Sequence, residues 1–206
     1  MAYTILKKAL IGALALSASS AAFAADKPLM TGASATMLAN TCAGCHGTNG
    51  TSTGPASPSI AGMSAVYFEE VMQGFKSGDI PSTIMKRIAD GYTDEEIAAM
   101  GEFFSNQKFV AAKQSFDAGK AKKGAKLHDK YCEKCHADGG SSAEDDSGIL
   151  LGQLTPYLHY TLADYKAGDR EMTKKMKKQV NKLIKKEGDA GFDALLNFYA
   201  RGTWNK

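Results

Sequence analysis

Apolar residues recur at helical spacing in several segments of this chain, and Gly- and Ser-rich stretches separate these segments. The clearest case is the run of Ile97, Met100 and Phe104, which lie three or four residues apart. Thr93 and Glu96, just before this run, have the sequence of a capping box, which begins a helix. We predict an all-α protein with little strand, whose main helices cover residues 33–45, 65–76, 94–106, 125–135, 156–166 and 190–201.

The second half of this pattern repeats the first at a constant offset of 90 residues. The offset aligns Gly50 with Gly140, Gly62 with Gly152, Tyr67 with Tyr157, Phe75-Lys76 with Tyr165-Lys166, and Gly78-Asp79 with Gly168-Asp169. A common offset held over this distance indicates an internal duplication. We therefore expect two tandem domains at 34–112 and 121–206, with a partly helical connector at 111–123.

Each repeat contains one Cys-x-x-Cys-His motif, and the two motifs use all four cysteines of the chain. Two thiols one helical turn apart can form thioethers with the vinyl groups of a heme, and the following imidazole can ligate its iron. Redox and zinc sites with two such cysteines do not need a histidine directly after the second one. We predict two covalently bound hemes c, held by Cys42 and Cys45 with His46, and by Cys132 and Cys135 with His136.

Methionines at similar distances offer a sixth ligand to each iron. Met85 lies 39 residues after His46, and Met176 lies 40 residues after His136. A one-residue slip in the repeat aligns these two methionines, whereas Met172 needs a slip of three residues in the opposite direction. We predict Met85 and Met176 as axial ligands and keep Met172 as the alternative for the second heme.

Other residues near the motifs receive supporting roles. We expect the carbonyl of Pro58 to accept the Nδ1 hydrogen of His46, and the aligned Gly148 offers the same group to His136. Methionines often fill gaps in protein cores, and three others fit that role. These are Met63, Met72 and Met100, while His128 and His159 are expected to be surface or polar-contact residues and not iron ligands.

The N-terminus has the layout of a secretory signal. Lys7 and Lys8 precede a short apolar run, and small residues end at Ala24. We expect cleavage after residue 24, export to the periplasm of a Gram-negative bacterium, and no membrane span in the mature protein. Loss of the two lysines would lower the formal net charge from +3 to +1. A net charge this small does not indicate what class of partner the protein binds.

A heme iron with both axial positions filled has no open position for a substrate, and a thioether ligand favours the ferrous state. Such a heme transfers electrons and performs no bond-making chemistry. The sequence therefore predicts an electron-transfer protein that is not itself an enzyme. A peroxidase would need an open site at one heme.

Several segments resemble the diheme cytochrome subunit of flavocytochrome c sulfide dehydrogenase. They are CAGCHGT at 42–48, GPASPSI at 54–60, VMQGFKSG at 71–78, LHDKYCEKCH at 127–136 and EGDAG at 187–191. The resemblance implies two tandem cytochrome c-like heme domains and axial ligands at His46, Met85, His136 and Met176. It also implies a heterodimer with an FAD-containing, sulfide-oxidising flavoprotein, and a soluble electron acceptor such as a small cytochrome c.

This chain has no G-x-G-x-x-G fingerprint, so the flavin is expected in that partner. The alternative is a free-standing tandem diheme carrier that delivers electrons to a terminal oxidase. The lysine-rich segment at 174–186 is either a solvated helix face or a docking patch for an acidic partner. It lacks interleaved aromatic residues, so we expect no nucleic-acid binding.

Overall fold

The computed structural model describes residues 32–203, and the predicted signal peptide at 1–24 lies outside the described residues. Within this range the regular elements are helices, which confirms the predicted all-α class. No helix of the described range is both long and apolar enough to cross a membrane. The helices are α1 (Ala35–Asn40), α2 (Ala43–His46), α3 (Ala65–Ser77), α4 (Thr83–Ala89), α5 (Asp94–Ser105), α6 (Ala118–Tyr131), α7 (Ala137–Gly140), α8 (Thr155–Ala167) and α9 (Lys174–Ala200).

Helices α3, α5 and α8 lie where the sequence predicts them. At the start of α5 the Thr93 hydroxyl accepts the Glu96 N–H, while the Glu96 carboxylate accepts the Thr93 N–H, so the predicted capping box is confirmed. Because both orphan donors are satisfied, this helix begins at a defined residue. The predicted first helix is instead split into α1 and α2.

Three helical segments were not predicted, and one of them is the short helix α7. The short helix α4 follows the Ser82 cap, and α9 begins at Lys174 and not at residue 190. The lysine-rich start of α9 has few apolar residues, but Val180 and Leu183 are three residues apart and face the interior. Gly188, with φ 58° and ψ −153°, interrupts α9 after this segment.

Each half of the molecule has its own apolar core. The first core joins α1, α3 and α5 and includes Leu38, Phe68, Ile97, Met100 and Phe104. The second joins α6, α8 and α9 and includes Leu127, Leu158, Leu183, Leu195 and Phe198. The two cores share no residue, as expected for duplicated units, and the boundaries at 34–112 and 121–206 stay predictions.

The aligned glycines adopt the same backbone conformation in both halves. Gly50 has φ 79° and Gly140 has φ 85°, values that favour glycine. The Gly50 carbonyl accepts two successive N–H groups ten and eleven residues later, and the Gly140 carbonyl does the same. Likewise, the N–H of Gly62 donates to Phe104 and the N–H of Gly152 donates to Tyr199, both at 2.8 Å. The duplication seen in the sequence is therefore also a duplication of loop geometry.

A buried amide joins the two halves. The Gln153 Oε1 accepts the Ser59 N–H and its Nε2 donates to the Ser59 carbonyl, both at 2.9 Å. Both residues are buried, so these hydrogen bonds are shielded from water. A second link runs from the Ala112 N–H to the Gly152 carbonyl at 2.8 Å. These bonds fix the loop after the first motif against the start of α8.

Candidate functional site

Both Cys-x-x-Cys-His motifs form the same turn. The Cys42 carbonyl accepts the N–H groups of Cys45 and His46, at 3.2 and 2.9 Å. The Cys132 carbonyl accepts the corresponding N–H groups at 3.1 and 2.9 Å. All four cysteines are free, and the second cysteine of each motif is exposed. The turn places two available thiols side by side with an imidazole after them, which is the donor set for a covalent heme.

The first histidine is held as predicted. The Nδ1 of His46 lies 2.8 Å from the Pro58 carbonyl, which fixes the ring and leaves Nε2 for the iron. Burial lowers the pKa of His46, so its imidazole favours the neutral form that ligates a metal. The loop after the first motif thus returns to the histidine at Pro58.

The second histidine has a different environment. The Nδ1 of His136 is buried and makes no hydrogen bond of ordinary distance and angle. Burial lowers the pKa of His136, and the Gly148 backbone opposes this shift, so the predicted carbonyl is nearby but less well placed. A Cβ at Gly148 would lie 2.9 Å from Cε1 of Tyr67, so the approach of the first half requires glycine here.

Met85 and Met176 occupy equivalent positions in their helices. The Ser82 hydroxyl caps α4 by accepting the Met85 N–H at 3.1 Å, and the Thr173 hydroxyl caps α9 by accepting the Met176 N–H at 3.2 Å. All three candidate methionines are partly buried, but Met172 lies before the Thr173 cap, outside the helix.

The methionines predicted as core residues behave as expected. Met72 and Met100 are buried, and Met63 packs against the same core. Met85 also packs against this core, so packing does not distinguish it from these three. What distinguishes Met85 is its capped N–H, which matches that of Met176 in the second half.

Of the two roles expected for His128, surface or polar contact, the structure shows polar contacts. The residue is fully buried. Its Nδ1 lies 2.9 Å from the Tyr199 hydroxyl, and its Nε2 lies 2.8 Å from Oε2 of Glu133, which stands between the two cysteines of the second motif. Burial is the main cause that lowers the pKa of His128. Both ring nitrogens are engaged by protein groups, so the ring braces the motif. His159, by contrast, is exposed on α8.

Sequence reasoning missed a cluster of tyrosines and one arginine between the halves. The Arg170 guanidinium lies 5.0 Å from the centre of the Tyr165 ring, and its charge interacts with the Tyr67 and Tyr157 hydroxyls. Burial raises the pKa of Tyr67. Tyr67 and Tyr157 are an aligned pair in the repeat, and that pairing was the signal available in the sequence. Through this cluster the two halves meet beside the second motif's loop.

The residues present fit two hemes. Each half supplies two free thiols, a neutral imidazole and a thioether, all within elements that the duplication repeats. The buried Nδ1 of His136 is also compatible with heme binding. Iron binding at Nε2 would fix the proton on Nδ1, and this N–H could then donate a hydrogen bond to the Gly148 backbone.

The chain is similar to several known cytochromes and electron-transfer proteins. A family model described as Cytochrome c matches residues 32–108. The chain is 49% identical over 70 residues to the cytochrome subunit of sulfide dehydrogenase from Chlorobaculum tepidum, a match that covers 34% of this chain and 63% of that relative. It is 32% identical over 173 residues to the thiosulfate dehydrogenase electron acceptor from Stutzerimonas stutzeri, covering 79% of this chain and 80% of that protein.

Among solved structures, the chain is similar to reduced recombinant cytochrome c4 from Pseudomonas stutzeri. The TM-score is 0.68 at 24% sequence identity, and the match covers 81% of this chain and 95% of that one. At this identity the likeness concerns the fold, and it spans both halves of the molecule.

Proposed function

This chain belongs to the cytochrome c family, and we propose that it is the electron-accepting diheme subunit of a complex with a sulfide-oxidising flavoprotein. Two covalent hemes c and electron transfer follow from the family and from the two motifs. The heme supplies a site where one electron can be stored on iron. The chain's own residues place each heme, tune its potential and shield it from water.

The observation that carries the proposal is the equivalence of Met85 and Met176. Each is the third residue of a capped helix, and each helix begins at a similar sequence distance after its motif. We assign His46 with Met85 to the first heme, and His136 with Met176 to the second. With both axial positions filled, neither iron has an open coordination site, which favours electron transfer over catalysis at the heme.

The contacts between the halves support transfer from one heme to the other. The Gln153 amide pairs with Ser59, and Ser59 directly follows the residue whose carbonyl holds His46. A rigid link at this point keeps the spacing of the two hemes constant. A constant spacing suits two hemes that act in series.

The flavoprotein partner is supported by the match to the sulfide dehydrogenase subunit and by the family resemblance of residues in both halves. We place the complex in the periplasm, because the first residues have the layout of an export signal. A small soluble cytochrome c is the proposed acceptor.

The test is anaerobic stopped-flow mixing of the oxidised holoprotein with an FAD-containing, sulfide-oxidising flavoprotein and excess sulfide. Both hemes are expected to become reduced, through a stable complex that also co-purifies. The control omits the flavoprotein and should leave the hemes oxidised on the same timescale. Reduction that is independent of the flavoprotein, or no reduction at all, would contradict the proposal.

A second candidate donor is a thiosulfate dehydrogenase, favoured by the match over 80% of the thiosulfate dehydrogenase electron acceptor. Replacing sulfide and flavoprotein with thiosulfate and a thiosulfate dehydrogenase distinguishes the two donors. Faster heme reduction in that second mixture would move the assignment to thiosulfate oxidation.

A further inference from the structure

A dense group of lysines lies on the first part of α9. Residues 174–186 contain seven lysines and no Asp or Glu. All seven side chains are exposed. Among the ion pairs of residues 32–203, none involves these lysines. Their charges are therefore directed to the solvent.

Six of the seven lysines share one face of the helix. At 3.6 residues per turn they fall within an arc of about 120°. Leu183, which is 2% exposed, lies on the opposite side and packs into the second core. We call this group the lysine face: Lys174, Lys175, Lys178, Lys182, Lys185 and Lys186.

The charge is local and does not reflect a generally basic half. Residues 34–112 contain four Lys or Arg and eight Asp or Glu, a net charge of −4, whereas residues 121–206 contain 16 and 12, a net charge of +4. Without the seven lysines of 174–186, the second half would have a net charge of −3. The net positive charge of the second half therefore comes entirely from the lysines of one short helical segment.

The corresponding helix of the first half carries no such face. Helix α4 has two basic residues, and its Lys86 forms an ion pair with Asp90 at 3.0 Å. The two helices hold equivalent methionines, but α4 has a single basic residue outside an ion pair, Arg87, whereas the helix with Met176 presents seven. The two copies share the helix cap and the methionine, but only the second has the lysine face.

The apolar side of α9 decides which kind of partner fits. A helix that binds a membrane surface inserts its apolar face among the lipids. Here that face packs against the core through Leu183 and Val180, and Ile184, 40% exposed, is the one large apolar side chain of residues 174–186 that is exposed. A single isoleucine offers little apolar surface to lipids, so the charges dominate this surface. An array of exposed charge about 18 Å long, at 1.5 Å per residue, suits steering and docking of a folded partner of opposite charge.

We propose that the lysine face is the docking surface for an acidic protein that takes electrons from the second heme, an inference that rests on the proposed electron-transfer function. In this step one electron leaves the ferrous second heme and reduces the oxidised metal centre of the partner, and no bond is made or broken. The electron donor then binds the first half, which has a net negative charge.

The test compares two triple variants of the reduced holoprotein. Lys178→Glu/Lys182→Glu/Lys185→Glu reverses the lysine face. Lys113→Glu/Lys122→Glu/Lys126→Glu is the matched control, which makes the same change in net charge with exposed lysines of the connector and α6. Heme content, helical circular dichroism and the sulfur-to-iron absorption band establish that each variant is folded.

The probes are an oxidised acidic blue-copper protein and, for comparison, an oxidised basic small cytochrome c, mixed by stopped flow between low and high salt. Steering of this kind raises association rates by about 10–10³-fold, and salt removes it because the Debye length falls from about 30 Å at 0.01 M to about 10 Å at 0.1 M. We expect at least a tenfold loss of low-salt rate with the acidic probe for the lysine-face variant, and at most threefold for the control.

Equal loss in the two triple variants, or a wild-type rate with the acidic probe that does not fall with salt, would overturn the docking surface. So would lysine-dependent binding to vesicles of anionic and zwitterionic lipid without any effect on the acidic probe. Sulfide-dependent reduction of the hemes by the flavoprotein is measured in the same variants. If it persists while the lysine face has no effect, only the docking inference fails.

Discussion

The two halves of this molecule share a backbone plan but surround their hemes differently. In the first half Leu38 is buried at the position aligned with His128, and Phe104 accepts the glycine N–H that Tyr199 accepts in the second half. An apolar pair in one copy is thus a hydrogen-bonded polar pair in the other. The two halves share their turns and helix caps but differ in the side chains behind the motifs. The duplicated backbone therefore positions the motif residues alike, while the surroundings of the two hemes differ.

The same contrast applies to the axial histidines. His46 donates to the Pro58 carbonyl at 2.8 Å, whereas the Nδ1 of His136 is less well placed toward its partner, the Gly148 backbone. A stronger bond at Nδ1 gives the imidazole more electron density and stabilises ferric iron. We therefore expect the first heme to have the lower reduction potential, which matches a direction of electron flow from the first half to the second.

Removal of the axial methionines is expected to have the largest effect. Met85→Ala and Met176→Ala should each abolish one of two sulfur-to-iron absorption bands and lower one potential by about 0.1–0.3 V, within the roughly 0.8 V that axial ligands control. Spectroelectrochemical titration measures both changes. Met172→Ala is the control and should leave both bands intact; if it removes one instead, Met172 is the ligand of the second heme.

A glycine at the crossing of α6 and α9 offers the next largest effect. A Cβ at Gly124 would lie 2.0 Å from the Ala194 carbonyl oxygen, a clash between two backbones. Gly124→Ala should destabilise the second half by about 3 kcal/mol or more. Gly101→Ala, whose Cβ would lie 3.1 Å from the Ala65 carbonyl oxygen in the first half, should cost less.

Thermal unfolding followed at the methionine signals of each heme by NMR measures the two glycine variants separately. Equal losses of stability in the two halves would contradict the packing argument. A loss confined to the first half in Gly124→Ala would contradict the division into two cores.

The link between the halves can be broken at Gln153, which the repeat aligns with Met63. Gln153→Met removes both hydrogen bonds to Ser59 and leaves buried backbone groups unpaired, at a cost of about 1–3 kcal/mol. Calorimetry should then resolve two transitions in place of one. Gln107→Met, at a partly buried amide within the first half, is the control and should leave the number of transitions unchanged.

The smallest effect is expected at the polar pair of the second core. Tyr199→Phe removes the partner of Nδ1 in the buried His128 and should cost about 1–2 kcal/mol. The double variant His128→Leu/Tyr199→Phe restores the apolar pair of the first half and should cost less than the single one. Denaturant unfolding measures both, and a double variant less stable than Tyr199→Phe would count against the comparison.

The features predicted well from the sequence were those encoded within a short stretch. The Thr93 capping box, helices α3 and α5, and the His46 contact with Pro58 depend on residues at most 12 positions apart. The features missed depend on distant partners. His128 meets Tyr199 across 71 residues, and Ser59 meets Gln153 across 94, so no local pattern could indicate their burial.

The start of α9 was missed for another reason. Its charged residues obscure a narrow apolar stripe, and the Thr173 cap is a single residue. The repeat was informative here, because Ser82 and Thr173 precede aligned methionines, and comparing caps across the two copies would have indicated both α4 and α9.

The interruption of α9 at Gly188 has an evolutionary consequence. It divides one long helix into an outer arm that carries the lysines and an inner rod that ends in Leu195, Phe198 and Tyr199. Replacement of exposed residues on the arm can retune partner preference among related organisms, while the rod continues to maintain the fold. Within α9, sequence divergence among relatives should therefore be greater before residue 188 than after it.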